Sequence, residues 1–434
     1  MLTHHVPPCV KRLRDEALLA FYSFDDLSVG ARLTALSIPR AAMFRTSTFA
    51  VATTSPMGCA IAGMLALAVA MGIGRFAFTP VLPMMLDDAG LSIRQGGWLA
   101  SVNYAGYFLG AVSAGLVRFP AETAIRGGLS VIALVTAAMA LPLPIEGWMA
   151  LRFVAGAASA WVLIAVSSWS LETLGRHQRP GLASVVFAGV GAGIATAGLL
   201  CIALLPAGAA SSHAWLLLGA LSLAVTVLVW PAFRPSQKPV ADPRTGPAGQ
   251  RWSGEALRLT VCYGLFGFGY IIPATFLPVM AKNTLQDPEL FGWSWPLFGV
   301  AAAISTLLAA PAKWYFSSAQ LLAASFVIMA FGVALPALHS NLATISLAAL
   351  CVGGTFMVLT LTAMQEARRI AGDRAPALIA AMTAAFAAGQ IAGPLTVRAS
   401  TTGSAFAAAL LVPALLLLLS GIAMAVRTGT AEAG

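Results

Sequence analysis

Twelve stretches of this chain each run for about twenty mostly apolar residues, and that recurrence limits the fold more than any other feature. A helix rises about 1.5 Å per residue and a bilayer's hydrocarbon core is about 30 Å thick, so roughly 20 apolar residues make one crossing. On that template the segments fall at 58–80, 97–117, 127–145, 148–174, 181–205 and 213–233, then at 256–281, 291–311, 319–338, 341–365, 376–399 and 403–426. Composition agrees. The chain is 59% hydrophobic and 9% charged, whereas soluble domains are roughly a quarter charged. The expected fold class is all-α, a polytopic membrane protein of about twelve transmembrane helices whose constant partner is the lipid bilayer.

A polar, proline-rich stretch separates the two sixes and holds Pro235, Pro239, Pro243 and Pro247. It reads as a flexible linker. The expected organisation is an extension over 1–56, a six-helix bundle over 57–233, a linker over 234–255, a second bundle over 256–427 and a short tail over 428–434. The extension has no apolar core ahead of a small-residue cleavage site, so a signal peptide is not expected. It is read as disordered, or as preceding a true start at Met57 or Met43.

Orientation follows from lysine and arginine. Loops on the side of the termini hold fourteen of them, from Arg118 to Arg427, and the opposite loops hold Arg94, Lys282 and Arg398. Basic residues stay cytoplasmic, so both termini are expected in the cytoplasm of a bacterium, with the protein in its inner membrane. The net charge of +9 has the same cause and does not argue for nucleic acid. The five cysteines have no short spacing, so neither a disulfide framework nor a metal site is expected. The glycines at 189, 191 and 193 lie inside an apolar helix with no strand before them, and no phosphate-binding loop is present. No cofactor is expected.

The two halves repeat. A shift of 195 residues carries Gly72, Gly74, Leu82, Pro83 and Met85 onto Gly267, Gly269, Leu277, Pro278 and Met280. It also carries Gly97 and Trp98 onto Gly292 and Trp293, and Arg179 onto Arg374. Six is even, so both copies insert with one topology, giving two pseudo-symmetric bundles of the kind that hold a substrate between them at the midplane.

The run Met71-Gly72-Ile73-Gly74-Arg75-Phe76-Ala77-Phe78-Thr79-Pro80-Val81-Leu82-Pro83 resembles the opening signature of the YbfB/YjiJ family of the major facilitator superfamily. Asn103 to Gly110, Arg152 to Glu172 and Gly389 to Pro394 are similar to the same family. The resemblance covers roughly residues 57–427. It implies a twelve-helix secondary transporter working by alternating access, and no particular solute. Two departures stand out. The loop after helix two reads Gly115-Leu116-Val117-Arg118-Phe119-Pro120-Ala121-Glu122, with Arg126 following, and lacks the superfamily's aspartate. Helix five lacks the Gly-Pro pair typical of drug/proton antiporters.

Arg75 is the residue with the most chemistry. A charge at mid-segment costs about 2.5–3.5 kcal/mol on insertion scales and needs a partner. None of the twelve segments offers an Asp or Glu at that depth. An anionic solute held by the guanidinium fork is one partner. Carbonyls of a broken helix, or nearby tyrosines and asparagine, are the other. Pro80 and Pro83 free the carbonyls of Phe76 and Thr79 and kink helix one. Pro273 and Pro278 form a similar pair in helix seven.

Asn103, Tyr107 and Gly110 share one face of helix two, bordered by Tyr104. With Trp161, Ser168 and Trp169 on helix four, Tyr263 and Tyr270 on helix seven and Gln390 on helix eleven, they are expected to line a cavity or to bond neighbouring helices. Arg152 with Gly156 resembles the superfamily's helix-four Arg-x-x-x-Gly motif, associated with proton coupling; the alternative is an arginine snorkelling to the interface. Glu172 with Arg176 and Arg179, and Glu366 with Arg368, Arg369 and Arg374, read as inner-gate ion pairs or as solvated surface.

The function expected is secondary active transport of a small-molecule solute, an organic anion or amphipathic metabolite, by a monomer, with the proton as the candidate coupling ion. The second reading is an efflux antiporter for drug-like or sugar-like compounds. A membrane-embedded receptor or enzyme is the reading outside transport. The five histidines, at 4, 5, 177, 213 and 339, lie in tails and loops, which argues against an enzyme.

Overall fold

Inside a bilayer every backbone N–H and C=O must be satisfied within the protein, and a helix does this segment by segment. The computed structural model describes residues 55–117, 119–234, 252–284, 293–338, 342–396 and 404–426, and among these all regular structure is helical. The first crossing is α1, in two pieces: α1a (Pro56–Leu67), continued by π-helical Ala68–Ile73, and α1b (Phe78–Asp88). Then come α2 (Ile93–Leu116), α3 (Ala121–Ala138), α4 (Ile145–Arg176), α5 (Ala183–Leu204) and α6 (Ser211–Val229). The second half holds α7 (Gly254–Thr284), α8 (Ser294–Ala312), α9 (Ser318–Leu338), α10 (Leu342–Ala371), α11 (Ala375–Thr396) and α12 (Ser404–Ala425). Among the described residues, eight stretches qualify as membrane spans by length and composition alone, one of them covering α10 and α11 together.

The helices pair symmetrically. In the first half α2 packs on α4, α3 on α4, α3 on α6, and α1 on α5; in the second α8 packs on α10, α9 on α10, α9 on α12, and α7 on α11. Adding six to each number of the first set gives the second. The halves meet through α5 against α8 and α2 against α11, which are also exchanged by that operation. The duplication visible in the sequence is therefore a duplication of packing.

Glycines permit these approaches. A Cβ on Gly106 would lie 2.0 Å from the Phe153 carbonyl oxygen of α4, and one on Gly72 would lie 2.4 Å from the Gly193 Cα of α5. Helices associate in lipid by such close van der Waals contact. Gly106→Ala is expected to cost about 1–3 kcal/mol as overpacking and to lower the melting midpoint of detergent-solubilised protein. Gly97→Ala, with nothing within 4 Å, leaves it unchanged.

Burial is reversed relative to a soluble protein. Leu134, Val227, Leu308 and Leu415 are exposed on the outside, while Arg75, Asn103, Arg152, Ser159 and Gln390 are buried. Water would penalise that outer surface; lipid does not.

Several sequence expectations shift. Helix three starts at Ala121, not 127, and ends at Ala138, not 145. Pro142 and Pro144 stop it, and Arg126 is accepted in its second turn because it donates to the Trp230 carbonyl at 2.8 Å and stacks on the Trp230 ring. Helix one continues through Pro80 and Pro83 as α1b. It breaks earlier, at residues 74–77, and Pro80 sits in the first turn of α1b, where a missing N–H is tolerated. The Phe76 carbonyl freed by Pro80 accepts from Thr79 N at 3.3 Å. Helix seven does not copy this break: one helix runs from Gly254 to Thr284 through Pro273 and Pro278. The extension before Ser55, most of the linker and the tail after Val426 lie outside the described residues, as do Arg118 and the side chains of both prolines.

Candidate functional site

The break in α1 presents backbone carbonyls at mid-depth, and α4 supplies their donors. Arg152 donates through Nη1 to the Gly74 carbonyl and through Nη2 to the Arg75 carbonyl, each at 3.2 Å. Ser159, two turns on, donates to the Ala70 carbonyl at 2.7 Å. Arg152 is 3% exposed and lies over the Phe78 ring at 4.7 Å. It is not an interfacial arginine reaching for water: its side chain is spent on the broken helix. Asn103 Nδ2 donates to the Arg152 carbonyl at 2.8 Å. Asn103 is thus on the α2–α4 seam, bonded to the backbone of the helix that carries the clamp.

With its own carbonyl tied down, Arg75 projects into a cage of rings. Its guanidinium carbon stands 3.8 Å from the Tyr107 ring centroid, 5.4 Å from Phe76, 5.6 Å from Tyr104 and 5.8 Å from Phe386. Each such contact is worth about 0.5–2 kcal/mol, more when desolvated. Nη2 donates to Gln390 Oε1 of α11, a hydrogen bond that joins the two halves. Arg75, Tyr107 and Gln390 are all at most 3% exposed. Around them, Arg75 Nε and Nη1, Gln390 Nε2 and the Tyr270 hydroxyl have no protein partner. Buried polar groups are normally satisfied, and each of these four can donate.

Phe356 of α10 closes the cage from the second half. Tyr270 stacks on it with centroids 4.5 Å apart, and Phe76 meets it edge-on at 5.7 Å. Tyr263 packs against Phe386 and Phe266, and its hydroxyl bonds to Thr360 Oγ1 at 3.4 Å. Of the residues expected to line a cavity, the fold gathers Tyr104, Tyr107, Tyr270 and Gln390 about Arg75. Phe76, Phe356 and Phe386 were not foreseen. Phe386 was findable, standing four residues and so one helical turn before Gln390; Phe356 sits in an apolar run without any signal.

Trp161, Ser168 and Trp169 lie lower on α4 and line a cleft of about 490 Å³ together with Gly115, Phe119, Glu122, Glu172, Arg176, Asp373 and Arg374. The cleft lies on the face where the arginine-rich turns collect. Its lining comes from both halves, α2, α3 and α4 on one side and the start of α11 on the other. Trp161 donates to Ser113 Oγ at 3.0 Å, packs on Phe119 at 5.5 Å, and Trp169 packs on Phe233 at 4.8 Å.

The expected gate pairs form, but within each half. Glu172 pairs with Arg176 one turn along α4. In the second half Arg369 pairs with Glu366 at 2.8 Å and with Glu255 of α7. Arg374 lies over Trp252 at 5.8 Å, and Arg179 is exposed in the turn after α4. Each of these pairs closes within its own half, Glu172 on Arg176 and Glu366 with Glu255 on Arg369. Spacings of three and four favour the partner on the same helix.

A family model described as the uncharacterised MFS-type transporter YbfB matches residues 67–425. The chain belongs to that family. This MFS transporter also shares its fold with solved structures. One is FucP in its outward conformation, 15% identical, with a TM-score of 0.68 over 87% of this chain and 100% of that one. Another is the human organic anion transporter MFSD10 (TETRAN), 14% identical, with a TM-score of 0.60 over 85% and 98%. Identities this low establish the fold alone. A search of curated proteins returns no match. The family and fold make the chain a multi-pass membrane transport protein, not an enzyme.

Proposed function

We propose that this transporter carries a small organic anion with an apolar, often aromatic, body, by alternating access of its two halves. One observation carries the reading: the buried cage around Arg75 holds one cation, aromatic walls, and four unpartnered groups that can donate. Among the described side chains no carboxylate is buried with them. A carboxylate is the group that accepts from such a set and neutralises the guanidinium, and a bidentate grip suits the fork geometry. The rings would receive the apolar body. MFSD10, alike in fold, is described as an organic anion transporter; that lends company to the reading and no residue.

The cleft on the arginine-rich face is the path to the site from the cytoplasm, with both termini on that side of the bacterial inner membrane. Rocking the halves about Arg75 would close it and bring α4 toward the start of α11. Glu172, Arg176, Asp373 and Arg374 would then exchange partners across the mouth, and a bias of a few kcal/mol suffices for such a two-state element. Among the described side chains the buried charges are Arg75 and Arg152, so coupling does not run through a buried carboxylate there.

Reconstituted protein tests this by counterflow. Proteoliposomes loaded with unlabelled monocarboxylates should accumulate the labelled acid above protein-free vesicles, and should fail to accumulate the matching amides or amines. Equal accumulation of the amides would remove the anion reading.

A further inference from the structure

We propose that Gln390 is an internal stand-in for the cargo: its amide oxygen occupies the anion seat of Arg75 in the empty carrier, and an incoming carboxylate must displace it. This rests on the anion reading above. The hydrogen bond from Arg75 to Gln390 Oε1 joins α1 to α11, and both residues are buried. Gln390 offers that oxygen in the same planar, sp² form as a carboxylate, but without charge. Its Nε2 has no partner and shares the cage with the unpartnered donors Arg75 Nε and Nη1. An amide is therefore the weaker of two possible occupants. It spares the guanidinium from standing bare in a low-dielectric site, and it yields to a carboxylate, which adds the attraction of opposite charges and can take both prongs of the fork.

Two consequences follow from the position of Gln390 on the second half. The empty carrier has its own contact across the midplane, so it can close and reset without cargo. The side chain at 390 also sets how strong an anion must be to bind. A seat occupied nine-tenths of the time by the amide lowers apparent affinity about ten-fold.

The test uses full-length protein in nanodiscs with benzoate as probe, benzamide as control, and the variants Gln390→Ala, Gln390→Glu, Arg75→Leu and the Arg75→Leu/Gln390→Glu double. Melting is followed with and without the probe. Gln390→Ala should bind benzoate about ten-fold more tightly than wild type. Gln390→Glu should not respond to benzoate, because its own carboxylate fills the seat. It should also melt about 2–4 °C higher than wild type, and that gain should turn into a loss when Arg75 is Leu. Benzoate binding unchanged in both Gln390 variants overturns the stand-in role and leaves the anion reading intact. Failure of benzoate and of every other monocarboxylate to shift wild type overturns the anion reading, and the stand-in role falls with it. A Gln390→Glu protein that melts below wild type also counts against the proposal.

Discussion

Arg75→Leu is expected to abolish transport while leaving the protein folded and nearly as stable as wild type. Truncating one partner of a buried charged pair typically costs about 2–5 kcal/mol of binding, which is a 30-fold loss or more. Stability moves little because two effects oppose each other. Leucine removes a charge from the membrane midplane, which relieves about 2.5–3.5 kcal/mol on insertion scales. It also forfeits the ring contacts and leaves the Gln390 amide oxygen without a donor, at about 1–3 kcal/mol. Arg75→Lys separates charge from shape. It keeps the cation as a single point donor and loses the planar fork, so transport should fall at least about ten-fold. Counterflow and melting on the same preparations check both. Unchanged transport in Arg75→Leu would remove Arg75 from the site.

Arg152→Leu is expected to behave in the opposite way on stability. Here the side chain holds backbone, not cargo. Its loss strips the Gly74 and Arg75 carbonyls of their donors, and each orphaned buried group costs about 1–3 kcal/mol. The melting midpoint should fall by several degrees, and transport should fall with it because the peptide that carries Arg75 is no longer fixed. Arg152→Lys can still reach one carbonyl and should recover part of both. Loss of transport at wild-type stability would contradict the clamp and favour a direct role in coupling. The contrast between the two arginines is the informative result: one buried charge that stability can spare, and one that it cannot.

How much of this could be read from the residues differs by feature. The twelve crossings and the duplication were legible, because twenty apolar residues and a shared 195-residue register are local or periodic signals. The burial of Arg75 was legible from its depth in the segment alone. Its company was not: Gln390 is 315 positions away, and Phe356 looks like any other apolar residue of α10. Proline pointed to a bend in helix one but gave no sign of the break at residues 74–77. Pro80 marks where a helix can begin again, whereas the break itself is held by Arg152 and Ser159 from α4 and permitted by Gly72 against Gly193. These are tertiary causes that no local rule contains. The snorkelling reading of Arg152 fails for the same reason, since its place near the start of α4 hid how far its side chain reaches toward α1. The partners of Glu172 and Glu366 were legible, because Arg176 and Arg369 stand one turn away on the same helices; Glu255, which also meets Arg369, lies 114 positions away and was not.

The central claim, that the cage around Arg75 receives an anion, is tested most directly by ligand-induced stabilisation with matched triplets: a monocarboxylic acid, its amide and its amine of one shape. A ligand at a hundred times its Kd stabilises by about 2.7 kcal/mol, enough to move the midpoint by several degrees. The account predicts that at least one acid shifts wild-type protein, that its amide and amine do not, and that Arg75→Leu responds to none of the three. Equal shifts by acid and amide, or a shift by the acid that survives in Arg75→Leu, would contradict it.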